Sequence, residues 1–245
     1  MRACCCSGTS GRTYLAGASF MIILLLLLLV LVSSAVRLVV ADLDFTLWRR
    51  PRFRTGPPFV AIDGGGVRSA CGKTLALYDG ARQSLARLSD AGIPVAIVSR
   101  THRELWARQW LSLLQVDSSG RTVMDVVGAF PIVIRDGSKD LHLREVSRRS
   151  GISVCDMLFF DDSERDVLAV ERLGCPAVHC SNGQGLTLEL LEEGLRRAGA
   201  AASSAPGCSA EDARQVQAPG SAVRDRTRRR RRGHSGGHSA VSLSS

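Results

Sequence analysis

The chain has 245 residues, 45% of them apolar and 22% charged, with a formal net charge of +9 at pH 7. That is enough for one domain of ordinary size with appendages, and it excludes a wholly disordered or collagen-like chain. The charge says little about the folded part, because residues 200–245 hold eight arginines (Arg214, Arg224, Arg226 and residues 228–232) against Glu211, Asp212 and Asp225, and so carry +5 of the +9.

In chain order, residues 14–36 form an apolar segment of bilayer-spanning length, with no polar side chain over residues 20–32. Two readings stand. As a signal anchor, Arg37, Arg49, Arg50, Arg52 and Arg54 after it outnumber Arg2 and Arg12 before it. That balance favours a single-pass, membrane-associated protein with its catalytic domain on the cytoplasmic side. As a signal peptide, Ser33 and Ala35 fit the −3 and −1 cleavage positions, and the domain enters the secretory pathway or is soluble after cleavage. Cys4, Cys5 and Cys6 beside the segment are candidates for acylation. The remaining cysteines have no C-x-x-C spacing and mark neither a zinc site nor a disulfide framework.

From Arg37 strand and helix alternate. Residues 38–42 read as a fully buried strand, and 59–78 as a short β-flap around a glycine turn. Asp79 is placed to N-cap a helix over about 80–91. Residues 94–99 are a second buried strand, and 102–114 a helix with Leu105, Trp106, Gln109 and Leu113 on its face. Residues 130–134 are a strand, 138–149 a basic helix, 157–162 a strand, 163–173 a helix, 176–180 a strand and 187–198 a last helix. This alternation implies an α/β fold, a Rossmann-like parallel sheet flanked by helices. After Gly199 the periodicity ends and the composition is that of a disordered tail. The chain thus divides into a leader over 1–36, a domain over 37–199 and an Arg-rich tail over 200–245.

In an open parallel sheet ligands bind beyond the carboxyl ends of the strands. Those ends carry Asp42-Leu43-Asp44, Ser99-Arg100, Ser138-Lys139 and Asp161-Asp162. Carboxylates that would repel one another call for a divalent cation, and an all-oxygen set points to Mg²⁺. A lysine and a hydroxyl facing the same point fit a phosphoryl group. Each motif alone has an ordinary explanation as a turn, a cap or a solvated helix residue. Their joint order does not.

Phosphate-receiving signalling domains place the aspartate pair early. Here the early element is "DLDFT", followed by "VSR" and "GSK", and the adjacent aspartate pair comes last, in "FFDDSERD". That order resembles the haloacid dehalogenase superfamily of phosphohydrolases. More narrowly, "DLDFTLW", "LYDGARQSLARL", "GIPVAIVSRT" and "FFDDSERDVLAVERLG" look like the eukaryotic magnesium-dependent phosphatase family over about residues 37–198. The resemblance implies a phosphomonoesterase of acid-phosphatase or protein-tyrosine-phosphatase type, acting on a phosphorylated small molecule or protein. Asp42 would be the nucleophile and Asp44 the general acid and base. Asp42, the Asp44 carbonyl and Asp162 would hold Mg²⁺, with Asp161 as an alternative and Asp166 orienting a metal water. Leu43, Asp44, Ser99, Arg100 and Lys139 would contact the substrate, and Thr46 would hold the loop. The competing reading is a catalytically silent module of this fold, serving as a phosphoprotein-binding or membrane-tethered scaffold.

Two positions depart from the family pattern, Asp136 where a proline precedes "GSK" and Asp79 where "LYP" is usual. The stretch between Trp48 and Tyr78 is too short for a cap domain, so a minimal β-flap and an open site are expected. The tail, "RDRTRRRRRGHSGGH", reads either as a solvated disordered arm or as a contact for nucleic acid or anionic lipid. No aromatic residues interleave, so base stacking is not supported.

Overall fold

The computed structural model describes residues 36–50, 56–181 and 183–204. The apolar leader apart from Val36, the three adjacent N-terminal cysteines and the Arg-rich tail beyond Ser204 lie outside the described residues. Among the described residues no helix is long and apolar enough to cross a membrane.

Five strands form a parallel sheet. They are β1 (Leu38–Ala41), β5 (Val95–Ser99), β6 (Ile132–Ile134), β7 (Met157–Asp161) and β8 (Ala177–His179), in the order β6-β5-β1-β7-β8. β1 is central, pairing Val40 with Ala96 on one side and with Phe159 on the other. Its four residues are all buried, because both faces are covered. Alternate side chains feed two apolar layers. Val39, Ala41, Ile97, Leu158 and Phe160 pack under α1 (Asp79–Asp90), α2 (Glu104–Leu111), α3 (Val123–Val127) and α6 (Leu188–Ser204). Leu38, Val40, Ala96, Val98 and Phe159 pack under α4 (Lys139–Ser150) and α5 (Glu164–Glu171). The chain leaves β1 for β5 on one side and returns to β7 on the other, which opens a crevice at the carboxyl end of β1.

Between β1 and α1 lies the expected flap, an antiparallel sheet of β2 (Phe59–Ile62), β3 (Gly66–Ser69) and β4 (Thr74–Leu75). Its first turn needs positive φ at Gly64 (+80°) and Gly65 (+77°), which glycine adopts without a Cβ penalty. Arg82 of α1 clamps this turn, donating to the Gly64 carbonyl at 3.0 Å and the Gln115 carbonyl at 2.8 Å. Phe59 meets Trp106 and Trp110 edge-on at 5.7 and 5.5 Å.

Several expectations need correction. Asp79 is the first residue of α1; its N-cap is Tyr78, whose side chain makes no cap bond. α2 buries Ala107, Trp110 and Leu111; of the expected face, Trp106 and Leu113 pack half-buried against this core, while Leu105 is 76% exposed and Gln109 is exposed. The strand expected from Phe130 begins at Ile132. The short α3 was not expected at all; a reciprocal capping box of Thr122 and Asp125 starts it. The last helix continues beyond Gly199 to Ser204, through alanines that favour helix without adding periodicity.

Candidate active site

β1 delivers Asp42 to the crevice, its backbone N–H still held by the Phe160 carbonyl at 3.0 Å. The carboxylate is buried, with the Leu43 backbone N–H among the groups that lower its pKa. The Leu43 side chain lies in the core. Lys139 is the first residue of α4, and its side chain, 1% exposed, runs back beneath the sheet end. Its Nζ donates to Asp42 Oδ1 and to the Val98 carbonyl at 3.1 Å, and lies 3.2 Å from Asp161 Oδ2. A buried ammonium is tolerable only with such partners.

Asp161 ends β7 and Asp162 follows it. Asp161 Oδ1 accepts the Ser163 N–H at 2.8 Å, whereas its buried Oδ2 is within ion-pair distance of Lys139 but receives no aligned hydrogen bond. Carboxylate oxygens of Asp42, Asp161 and Asp162 lie within 4.8 Å of one another. Burial pushes the Asp42 carboxyl above the usual carboxylate range, Lys139 pulls it back and Asp161 pushes it up again. Asp162 is raised by burial and then by Asp161. Three crowded carboxylates thus face one ammonium, a deficit of positive charge in a partly desolvated place. An orphaned buried oxygen and an all-oxygen donor set fit a hard divalent cation. Asp161 belongs to this cluster as fully as Asp162 does.

Asp44 stands two residues along, with its side chain 22% exposed. Trp48 Nε1 donates to its Oδ1 at 2.9 Å, and Arg50 Nε lies 3.7 Å from Oδ2. Burial raises its pKa and the Trp48 bond lowers it. The turn between them is closed by the Leu43 carbonyl, which accepts from Leu47 N at 2.9 Å and Trp48 N at 3.2 Å, with Phe45 at φ +64°. Thr46 lies in this turn; its carbonyl accepts from Leu186 N at 2.9 Å, and its buried hydroxyl has no hydrogen-bond partner.

Ser99 ends β5, buried, its Oγ accepting the Thr101 N–H at 3.2 Å. Arg100 turns to α5 and forks onto buried Asp166, Nη1 to Oδ1 at 3.3 Å and Nη2 to Oδ2 at 2.5 Å. Asp166, expected to orient a metal water, is thus committed to the guanidinium. All the expected site residues meet at one end of the sheet. Trp48, four residues from Asp44, is the one sequence reasoning missed. Its only signal was an aromatic N–H donor at turn spacing.

A parallel sheet of this order, with its carboxylates, lysine and flap so placed, defines a phosphohydrolase of the haloacid dehalogenase type. The chain belongs to the acid phosphatase family, whose model matches residues 34–200. It is 34% identical over 163 residues to human "Magnesium-dependent phosphatase 1", covering 65% of this chain and 85% of the relative. A HAD-like hydrolase superfamily protein of Schizosaccharomyces pombe is 32% identical over 143 residues, covering 56% of this chain and 81% of the other. Among solved structures, the N-terminal part of a Bacteroides fragilis protein, containing a phosphatase domain complexed with Mg, superposes with a TM-score of 0.47. It is 18% identical and covers 65% of this chain and 40% of that one.

Proposed function

We propose that this phosphatase is a Mg²⁺-dependent phosphomonoesterase that works through a phosphoryl-aspartate at Asp42. The observation that carries the reading is the Asp42–Lys139 contact at the end of β1, beside Asp161 and Asp162. Asp42, Asp162 or Asp161, and the Asp44 carbonyl would hold Mg²⁺. When bound, the ion supplies positive charge against the phosphoryl oxygens and the nucleophile.

Asp42 Oδ attacks phosphorus in line with the ester oxygen, forming the acyl phosphate as the P–O bond to the leaving group breaks. Asp44 gives its proton to that leaving oxygen and then takes one from the water that attacks the phosphoryl-aspartate. Lys139 and Ser99 stand where the spread negative charge needs donors. Arg100, half-exposed and fixed by Asp166, would contact the substrate with the part of its guanidinium that the ion pair leaves open. Exposed Phe45, Arg50 and Arg100, with a three-stranded flap in place of a cap domain, support large phosphorylated substrates such as phosphoproteins or protein-linked sugar phosphates.

Asp42→Asn should lower turnover of p-nitrophenyl phosphate by about 10³-fold or more with the fold intact. EDTA should block the wild type, and excess Mg²⁺ should restore it. Full activity in the variant would overturn the nucleophile assignment. No turnover by pure wild-type protein would favour a silent binding module.

A further inference from the structure

The mechanism needs the Asp44 carboxyl at a fixed angle to the leaving group, yet Asp44 sits on a turn rather than a strand. What fixes it is Trp48. Its indole is wholly buried, and its ring meets Trp110 edge-on at 6.1 Å. Its own backbone bridges to Asp44 and to Leu77, and its carbonyl accepts the Phe45 N–H at 2.6 Å. The indole N–H therefore has one available direction, and Asp44 Oδ1 lies along it at 2.9 Å. Indole nitrogen donates and never accepts. Oδ1 therefore accepts the indole N–H in either protonation state, which leaves Oδ2 free of that bond. Arg50, 66% exposed and 3.7 Å from Oδ2, is too solvated to take over this role.

We propose that Trp48 is a positioning residue for proton transfer: it pins Oδ1 so that Oδ2 of Asp44 faces the leaving oxygen. The proton passes from Oδ2 to the ester oxygen as its bond to phosphorus breaks and the Asp42–phosphorus bond forms. Oδ2 then receives a proton from the hydrolytic water. This rests on the general-acid reading of Asp44, and the test separates the two.

The N–H is removed without changing shape by replacing Trp48 with benzothienylalanine in the full chain, and more coarsely by Trp48→Phe. kcat/KM is measured for glycerol 2-phosphate, whose alkoxide must be protonated to leave, and for p-nitrophenyl phosphate, whose leaving group needs little help. The isosteric variant should lose about tenfold or more on the alkyl ester and about twofold or less on the aryl ester. A partly misfolded enzyme would lose equally on both. Equal loss on the two esters, or no loss on the alkyl ester, in the benzothienylalanine protein overturns the proposal. Asp44→Asn must widen the same ratio. If it does not, the general-acid reading itself fails; if it does while the isostere does not, only the role of Trp48 fails.

Discussion

Asp42 and Lys139 are 97 residues apart in sequence and meet because a strand ends and a helix begins at the same edge of one sheet. Neither charge is tolerable there alone. The same logic of a charge held by local donors operates far from the site, at Asp117. Its carboxylate accepts from Ser119 Oγ at 2.5 Å, Arg121 Nε at 2.7 Å and the Ser119 N–H at 2.9 Å. The Ser119 hydroxyl first, then Arg121, holds its pKa down to about 2 from the ordinary 3.8. A depressed folded pKa means stability that is fully present above the unfolded value and is lost as pH falls through the folded one. Asp117→Asn should therefore lower the thermal midpoint at pH 7, with the gap from wild type closing between pH 4 and pH 2. A gap independent of pH would contradict this. At this scale Asp42, Asp44, Ser99, Arg100, Lys139 and Asp162 were legible because each sits at or just past a strand end or at a helix start. The bonds of Asp44 to Trp48 and of Asp166 to Arg100 were not, because they depend on turn geometry at Phe45 and on the packing of α5 against the sheet end.

Elements were legible where burial leaves one solution. β1, β5 and β7 are short, β-branched or aromatic apolar runs, two of them closed by Ser99 and Asp161, and read as buried strands. α2 was harder, since residues 105–114 carry two overlapping apolar stripes; the flap, by seating Phe59 on Trp106 and Trp110, is part of what decides between them. The loop from β8 to α6 shows how one element holds another in place. A Cβ on Gly185 would lie 2.4 Å from the Thr46 carbonyl oxygen and 2.5 Å from the Tyr78 ring, at φ +70°. Gly185→Ala should cost about 2 kcal/mol or more in urea unfolding. It should also lower turnover, since the loop must move away from the turn that bears Asp44. Unchanged stability and turnover would show that this close approach is not needed.

At the scale of the whole molecule, the two apolar layers anchor a sheet whose functional end is electrostatically unfinished. Three carboxylates share one ammonium, and a divalent cation would complete the set. Mg²⁺ at roughly 100 times its Kd should therefore raise the thermal midpoint by about 5 °C or more, and EDTA should reverse the shift. Asp162→Asn should shrink it. No shift with Mg²⁺, together with activity unchanged by EDTA, would oppose the metal assignment.

The central claim is that Asp42 carries the phosphoryl group, and acid-quench trapping during turnover of a ³²P-labelled aryl phosphate tests it most directly. The account predicts a hydroxylamine-labile label on the peptide that contains Asp42, lost in Asp42→Asn. A hydroxylamine-resistant ester on Ser99, or label persisting in the Asp42→Asn protein, would contradict it.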